Sequence, residues 1–368
     1  MKKRIFYIGL FLLMLLTSSA LIFALQRDLS SSYVSASKGV EKEISAAAAP
    51  PKTAALPPVV LLDNRDYYVA QTFNNCGPAA LSMMLSYYGI RVDQQTLADI
   101  LRPTNNRTGK GDDKSTTPEK LAAQAETYGL VAYFRPNGSI DLLKRLTAKG
   151  YPMMVRTLLV SDEDYAHYRV VRGYDESKKT IIEDDGFQGK NVSIAYNDFL
   201  FLWKPFNYGY VVFAAPDKRA ELEAIIGEDV DELAAWKKAA LAGAEAVAAD
   251  PNDMTQWFNL SVADYYIRNY AGSVRAFEAA ESALTKHVLW YQLEPIEAYY
   301  ALGNYDKVFS LAQKIFSDNN LAYPDLHVLL GKSYLKKGDR VSARKAFETA
   351  LAYNKDLRSA RDALASLE

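Results

Sequence analysis

The sequence predicts an α+β domain followed by an all-α repeat array, set behind an apolar N-terminal segment. Three observations predict it. Between residues 59 and 216 helical patterns crowd the first part and strand patterns the second, the order of a segregated α+β fold and not of alternating α/β units. From about Asp217 to Glu368 the chain is Ala-rich and amphipathic, and positions recur at a spacing of 35 residues. Ile5 to Leu25 is an almost unbroken apolar run, about the ~20 residues that a bilayer requires.

The apolar run stands directly behind the basic residues Lys2, Lys3 and Arg4. That asymmetry predicts a cytoplasmic N-terminus with the remainder extracytoplasmic. The run exceeds the signal-peptide core of about 7–15 residues, and Leu21-Ile22-Phe23 carries it past the small residues Thr17-Ser18-Ser19-Ala20. A retained single-pass signal anchor over residues 1–25 is therefore the expectation, with secretion after cleavage as the alternative. No cysteine follows the run, which excludes a lipoprotein anchor. Residues 26–58, rich in Ser, Ala, Lys, Glu and Pro without apolar periodicity, read as a flexible tether.

Composition narrows the function. Forty-three basic residues against 44 acidic ones leave a net charge of −1, so no broad basic field argues for a nucleic-acid partner. The chain has a single cysteine, Cys76, and so forms no intramolecular disulfide; an odd cysteine in an exported chain is a free, reactive thiol. Neither a His-Glu-x-x-His pattern nor paired cysteines occur, and no metal or other cofactor is expected.

Within 59–216, Val59 to Leu62 and Tyr67 to Ala70 predict short strands leading into Gln71-Thr72-Phe73-Asn74-Asn75-Cys76-Gly77-Pro78. Ala80, Leu81, Met84, Leu85 and Tyr88 recur at helical spacing, Pro78 sits in the first turn and Gly89 ends the run, so a helix starts at or beside Cys76. A thiol there feels the positive end of the helix dipole and the free N–H groups, both of which favour thiolate. Gln71 offers an amide that could donate to an oxyanion. Further helices are expected over 93–101, 117–128, 139–150 and 196–203, and strands over 131–134, 151–160, 167–175, 180–184 and 208–214, with a polar loop at 103–118. Trp203 to Asn207 reads as an aromatic plug in the core. His167 is the one histidine of this part of the chain and the one local base for Cys76. Asp184 and Asp185 are adjacent, and a strand turns successive side chains to opposite faces, so one of them can face His167 and the other should be a solvated turn residue.

Gln…Asn-Asn-Cys-Gly-Pro-Ala, the helix it opens and its Tyr-Tyr-Gly end resemble the papain-like cysteine peptidases grouped as family 39, the double-glycine-leader peptidases and their exported relatives. His167-Tyr-x-Val-Val-x-Gly-Tyr-Asp175 and the later Asp-x-Phe-x-Gly resemble the second half of that pattern. The resemblance implies a papain-like fold with Cys76 as nucleophile, His167 as base, and Gln71 in the oxyanion hole. It also implies that Asp185, which falls on the Asp-small-aromatic-x-Gly pattern, orients the histidine. Gln71 stands five residues before Cys76, where the leader-processing members have six. The implied activity is hydrolysis of a peptide or protein substrate. Because the domain is expected outside and the chain lacks Gly-x-x-x-x-Gly-Lys-Ser/Thr, the double-glycine substrate does not carry over. The alternatives are a non-catalytic peptide-binding scaffold and acyl or amide transfer on the same triad.

In 217–368, Leu260, Pro295 and Leu330 are 35 residues apart, as are Asn269, Asn304 and Asp339. Leu330-Gly331-x-x-Tyr334 with Ala343, Phe347 and Ala350 resembles a tetratricopeptide repeat. Trp257, Leu260, Ser273, Phe277 and Ala280 fit an earlier copy, and Val308, Ala312 and Ile315 a degenerate middle one. A leading helix is expected over 233–248. The resemblance implies a solenoid that docks a substrate or protein partner. His287 and His327 read as ordinary helix residues.

Overall fold

The computed structural model describes residues 55–103, 113 and 116–367; the expected anchor at 1–25 and most of the tether lie outside them. Among the described residues no helix is long and apolar enough to cross a membrane.

Residues 59–214 form one antiparallel sheet of seven strands. These are β1 (Val59–Leu61), β2 (Val131–Arg135), β3 (Met153–Leu158), β4 (Ala166–Asp175), β5 (Thr180–Asp185), β6 (Gly189–Ala195) and β7 (Tyr210–Ala214). The order is β2-β7-β3-β4-β5-β6, and β1 lies beyond β3 along the same edge of the long β4. Strand alternation sorts the apolar residues onto two faces. Met154, Val170, Val211 and Phe213 meet α1 (Cys76–Ser86), α2 (Gln94–Leu101) and α3 (Pro118–Glu126). Met153, Val155, Val171 and Val212 meet α4 (Ile140–Ala148), α5 (Tyr196–Trp203) and α6 (Arg219–Ile226).

Helix α1 is buried on every side, from Gly77 to Ser86, as a helix without a polar face must be. Its serines are satisfied locally: Ser82 donates to the Val92 carbonyl and Ser86 to that of Met83. Helices α2, α3 and α4 are opened by the side-chain caps Asp93, Thr117 and Ser139.

Two expectations fail here. Residues 67–70 form no strand. Their aromatic side chains face inward and take hydrogen bonds that a strand pairing would not place: Tyr67 Oη to Ser82 Oγ at 2.8 Å, and Tyr68 Oη to the Asp185 carbonyl at 2.9 Å. Conversely, β6 is a strand that the sequence reading omits, because it is a polar edge strand with few apolar residues to carry the period. Trp203 and Phe206 are buried as the expected plug, and Asn207 donates to the Asn259 carbonyl of the helical region.

The helical region comprises α7 (Glu232–Ala249), α8 (Met254–Tyr266), α9 (Tyr270–Ala280), α10 (Glu294–Ala301), α11 (Tyr305–Ser317), α12 (Pro324–Lys336), α13 (Arg340–Tyr353) and α14 (Arg358–Ala365). The three positions 35 residues apart have one role. Asn269, Asn304 and Asp339 each cap the second helix of a pair, accepting from the N–H of Gly272, Lys307 and Ser342. Gly331 is required by packing, since a Cβ there would stand 2.4 Å from the Phe347 ring. The region lies directly against the sheet domain. Tyr266 Oη donates to Glu119 Oε1 at 2.6 Å, Lys120 pairs with Asp325 at 2.5 Å, and Asn259 Nδ2 donates to the Lys204 carbonyl at 2.7 Å.

Candidate active site

Cys76 is the first residue of α1. The turn before it is made by Asn74, whose φ of 54° is left-handed, a conformation that Asn tolerates. Asn75 does not cap the helix with its side chain. Instead Asn75 Nδ2 donates to Thr72 Oγ1 at 2.7 Å, and Asn75 Oδ1 accepts from the buried guanidinium of Arg102. The first turn therefore has neither a capping side chain nor an acidic residue, and its positive end is directed at the sulfur. Burial by itself would push the thiol up. The hydrogen bond with His167, the charge of that ring, the Tyr168 backbone N–H and the charge of Arg102 outweigh it, so the Cys76 pKa lies below its ordinary value.

His167 is the second residue of β4 and 3% exposed. Its Nε2 lies 2.7 Å from Asp185 Oδ1, which leaves Nδ1 as the ring nitrogen for the thiol. Burial would push the imidazole down, but its hydrogen bonds with Asp185 and Cys76 raise it to about 9. Asp185 ends β5, and Arg169 of β4 is its cross-strand neighbour. Asp185 Oδ1 also accepts from the backbone N–H of Phe187 at 2.7 Å and of Gln188 at 3.1 Å, and Oδ2 accepts from Arg169 Nε at 3.0 Å. Burial opposes ionisation, but the His167 hydrogen bond and charge, the Phe187 N–H and Arg169 lower this carboxyl to about 2. The arrangement can hold a thiolate and an imidazolium side by side, oriented by a carboxylate that stays charged.

The structure thus brings Cys76, His167 and Asp185 together. Asp184 points elsewhere, but it is no solvated turn residue, which corrects the sequence expectation. It is 1% exposed, accepts from Asn64 Nδ2 at 2.8 Å and from the Asn191 N–H at 2.9 Å, and pairs with Arg172 at 3.2 Å. A buried carboxylate needs such partners. Gln71 is tied by its backbone, its N–H donating to the Gly186 carbonyl at 2.8 Å, so the loop before Cys76 is fastened to the turn after Asp185. A Cβ on Gly186 would sit 3.2 Å from Gln71 Cβ, so a larger residue in that turn would press on the loop before Cys76. Among the described residues the Gln71 side-chain carbonyl is buried without a hydrogen-bond partner.

Four residues of this neighbourhood escape the sequence reading. Arg169 and Glu183 form a second ionic layer beneath the His167–Asp185 pair, 3.5 Å apart and both buried. Burial pushes Glu183 up to about 7, against the pull of Arg169. The period-2 spacing 167/169 against 183/185 was the available signal. Arg102 and Tyr291 had none, because the chain separation hides them. Tyr291 comes from the helical region and borders two cavities. One, of about 520 Å³, is largely apolar and bordered by residues 161–165 and Phe258; the other, of about 350 Å³, is lined by Glu119, Arg156, Tyr266 and Glu294.

His287 is not a helix residue, contrary to expectation. It lies in the connection between α9 and α10, just before a short 3-10 turn, with its Nδ1 2.5 Å from Asp164 Oδ1. His327 does lie on a helix, α12, its ring stacked on Phe316 at 4.8 Å and on Tyr353 at 5.6 Å.

The family model of the Peptidase C39-like family matches residues 62–211, the stretch that contains Cys76, His167 and Asp185. No curated protein matches the chain. Among solved structures, one described as a candidate C39-like peptidase from Bacillus anthracis is similar at 18% identity with a TM-score of 0.36, over 42% of this chain and 97% of that one.

Proposed function

We propose that the protein is a cysteine peptidase that hydrolyses peptide bonds through Cys76, His167 and Asp185. The observation that carries this reading is the linkage of one thiol at an uncapped helix N-terminus to a buried imidazole, itself held by a buried carboxylate. Such a linkage costs burial of charge and is kept where it does chemistry. The match to a cysteine-peptidase family model supports the same class.

In the proposed reaction the His167 imidazole holds the proton of Cys76, and the thiolate attacks a peptide carbonyl. The Cys76 backbone N–H and the Gln71 amide stabilise the tetrahedral oxyanion, each such donor lowering the barrier by about 3–4 kcal/mol. The imidazolium then gives its proton to the leaving amine, and water attacks the thioester and restores the thiol. Asp185 fixes the ring by holding Nε2. We further propose that the domains sit outside the membrane on the anchor of residues 1–25, and that the helical repeats dock substrate or partner.

The test is an active-site probe with an electrophilic warhead on the folded protein. Labelling of Cys76 that is lost in His167→Ala, together with peptide cleavage lost in Cys76→Ala, is the expected result. A folded protein whose Cys76 reacts no faster than a free thiol, with or without His167, refutes the reading and leaves a peptide-binding scaffold.

A further inference from the structure

The loop that delivers His167 is gripped by the helical region. Residues 159–165 join β3 to β4, and Ser161, Asp162, Glu163 and Tyr165 are exposed. At its base Leu159 N–H donates to the Tyr165 carbonyl at 2.8 Å, and Arg169 Nη2 donates to the Leu159 carbonyl at 2.6 Å. At its flank the hydrogen bonds and ring contacts described next come from the connection between α9 and α10. Beyond the 2.5 Å contact of its Nδ1 with Asp164 Oδ1, His287 donates its backbone N–H to Asp164 Oδ2 at 2.8 Å. Its ring stacks on Tyr165 with centroids 4.4 Å apart, and Trp290 packs against it at 4.2 Å. Four residues on, the Tyr291 phenol faces the Ala166 backbone N–H, and the Tyr291 carbonyl accepts from Arg156 Nη1 at 3.1 Å. Asp164, Tyr165 and Ala166 are the three residues before His167.

We propose that His287 is a positioning residue of this active site: through Asp164 and Tyr165 it holds the start of β4 so that His167 meets the Cys76 thiol, which makes the helical region part of the catalytic unit and not only a docking arm. The inference rests on the peptidase reading above. The physical reason is the short loop's composition. Its three consecutive acidic residues repel one another, and although the backbone of Ala166 and His167 pairs with β3, the hydrogen bonds at the base of the loop leave its acidic tip to be fixed from outside. A thiol–imidazole pair tolerates little displacement, since a misplacement of about 1 Å can cost ~10²-fold in rate.

The experiment uses the full chain and reads the pH profile of Cys76 alkylation by iodoacetamide, followed by mass spectrometry, with thermal melting recorded on each variant. His287→Ala is expected to move the midpoint of the profile upward by about one unit and so to slow alkylation about tenfold at neutral pH. His287→Asn, which keeps a donor facing Asp164, should recover most of the rate, and His327→Ala should leave the profile unmoved. A contact that merely adds stability would lower the melting temperature without moving the profile, and that outcome overturns the proposal. Should His287→Ala fail to fold, Asp164→Asn and the exposed-ring change Tyr165→Leu report instead. The same upward shift is expected from both, and an unshifted profile in both overturns the proposal. If His167→Ala itself leaves the profile unchanged, the thiol–imidazole reading fails and this inference with it. If His167→Ala shifts the profile and His287→Ala does not, the positioning role alone is wrong.

Discussion

The sheet domain and the helical region bury different materials. Across β4 and β5 the sheet encloses His167, Arg169, Arg172, Glu183, Asp184 and Asp185. The centre of the helical region is built mainly from alanines and large aromatic and aliphatic side chains, among them Trp257, Phe277, Tyr299 and Ile315. Apolar burial contributes by area and without direction, about 25 cal/mol per Å². Buried charge contributes nothing until each group is paired, and its pairing is directional. The sheet interior is therefore held by directional pairing of charges, and the helical interior by shape. The difference teaches where to look for chemistry: in the part whose core is expensive.

The comparison can be broken in several places. The largest effect should come from His167→Ala, which removes the proposed base and, on the proposed peptidase reading, should lower peptide hydrolysis by about 10²–10⁴-fold; retention of activity would mean that the buried charges are structural. Next, Arg169→Met leaves Glu183 buried without its cation, takes one of several partners from Asp185, and should cost about 3–5 kcal/mol in denaturant unfolding. Phe347→Ala, in the apolar contact with Gly331, should cost a similar ~3–5 kcal/mol. The two losses differ in kind. That of Arg169→Met should shrink at low pH, where the stranded carboxyls take up protons, and that of Phe347→Ala should not change with pH. Equal pH responses would erase the distinction.

The alkaline limb sharpens it further. The His167 pKa is raised from 6.5 to about 9 in the folded protein. The folded state therefore binds this proton more tightly than the unfolded chain does. Its stabilising contribution is complete below 6.5 and is lost as pH rises through about 9. Denaturant midpoints at pH 6 and pH 10 should show this decline in the native protein and much less of it in His167→Ala. The smallest effect belongs to the helix caps. Asn304→Ala should cost about 1 kcal/mol, a change in melting temperature with no change in Cys76 reactivity.

How much was legible in the sequence follows the same division. The helix pairs could be read because one period of 35 residues places Asn269, Asn304 and Asp339 at equivalent caps, a local signal repeated three times. The helix that opens at Cys76 could be read from its proline, its apolar spacing and its glycine stop. The meeting of Cys76, His167 and Asp185 was foreseen from a resemblance together with strand alternation, and their catalytic roles await measurement. What could not be read was non-local. Arg102 reaches Asn75 from the end of α2, and Tyr291 reaches Ala166 from another region of the chain. No pattern within a window marks either. The burial of Asp184 has a physical root as well: an acidic pair before Gly-Phe suggests a wet turn, but Asn64 from a loop far off in the chain and Arg172 from the neighbouring strand close over it.

Cys76 has no second sulfhydryl in the chain to answer it. The surroundings that lower the pKa of its sulfur would also favour its reaction with peroxide, which converts a thiolate to sulfenic acid. In proteins with a resolving cysteine that state is parked as a disulfide and later reduced. With no resolving cysteine in this sequence, a Cys76 sulfenic acid would depend on a thiol from another molecule for its rescue before onward, irreversible oxidation.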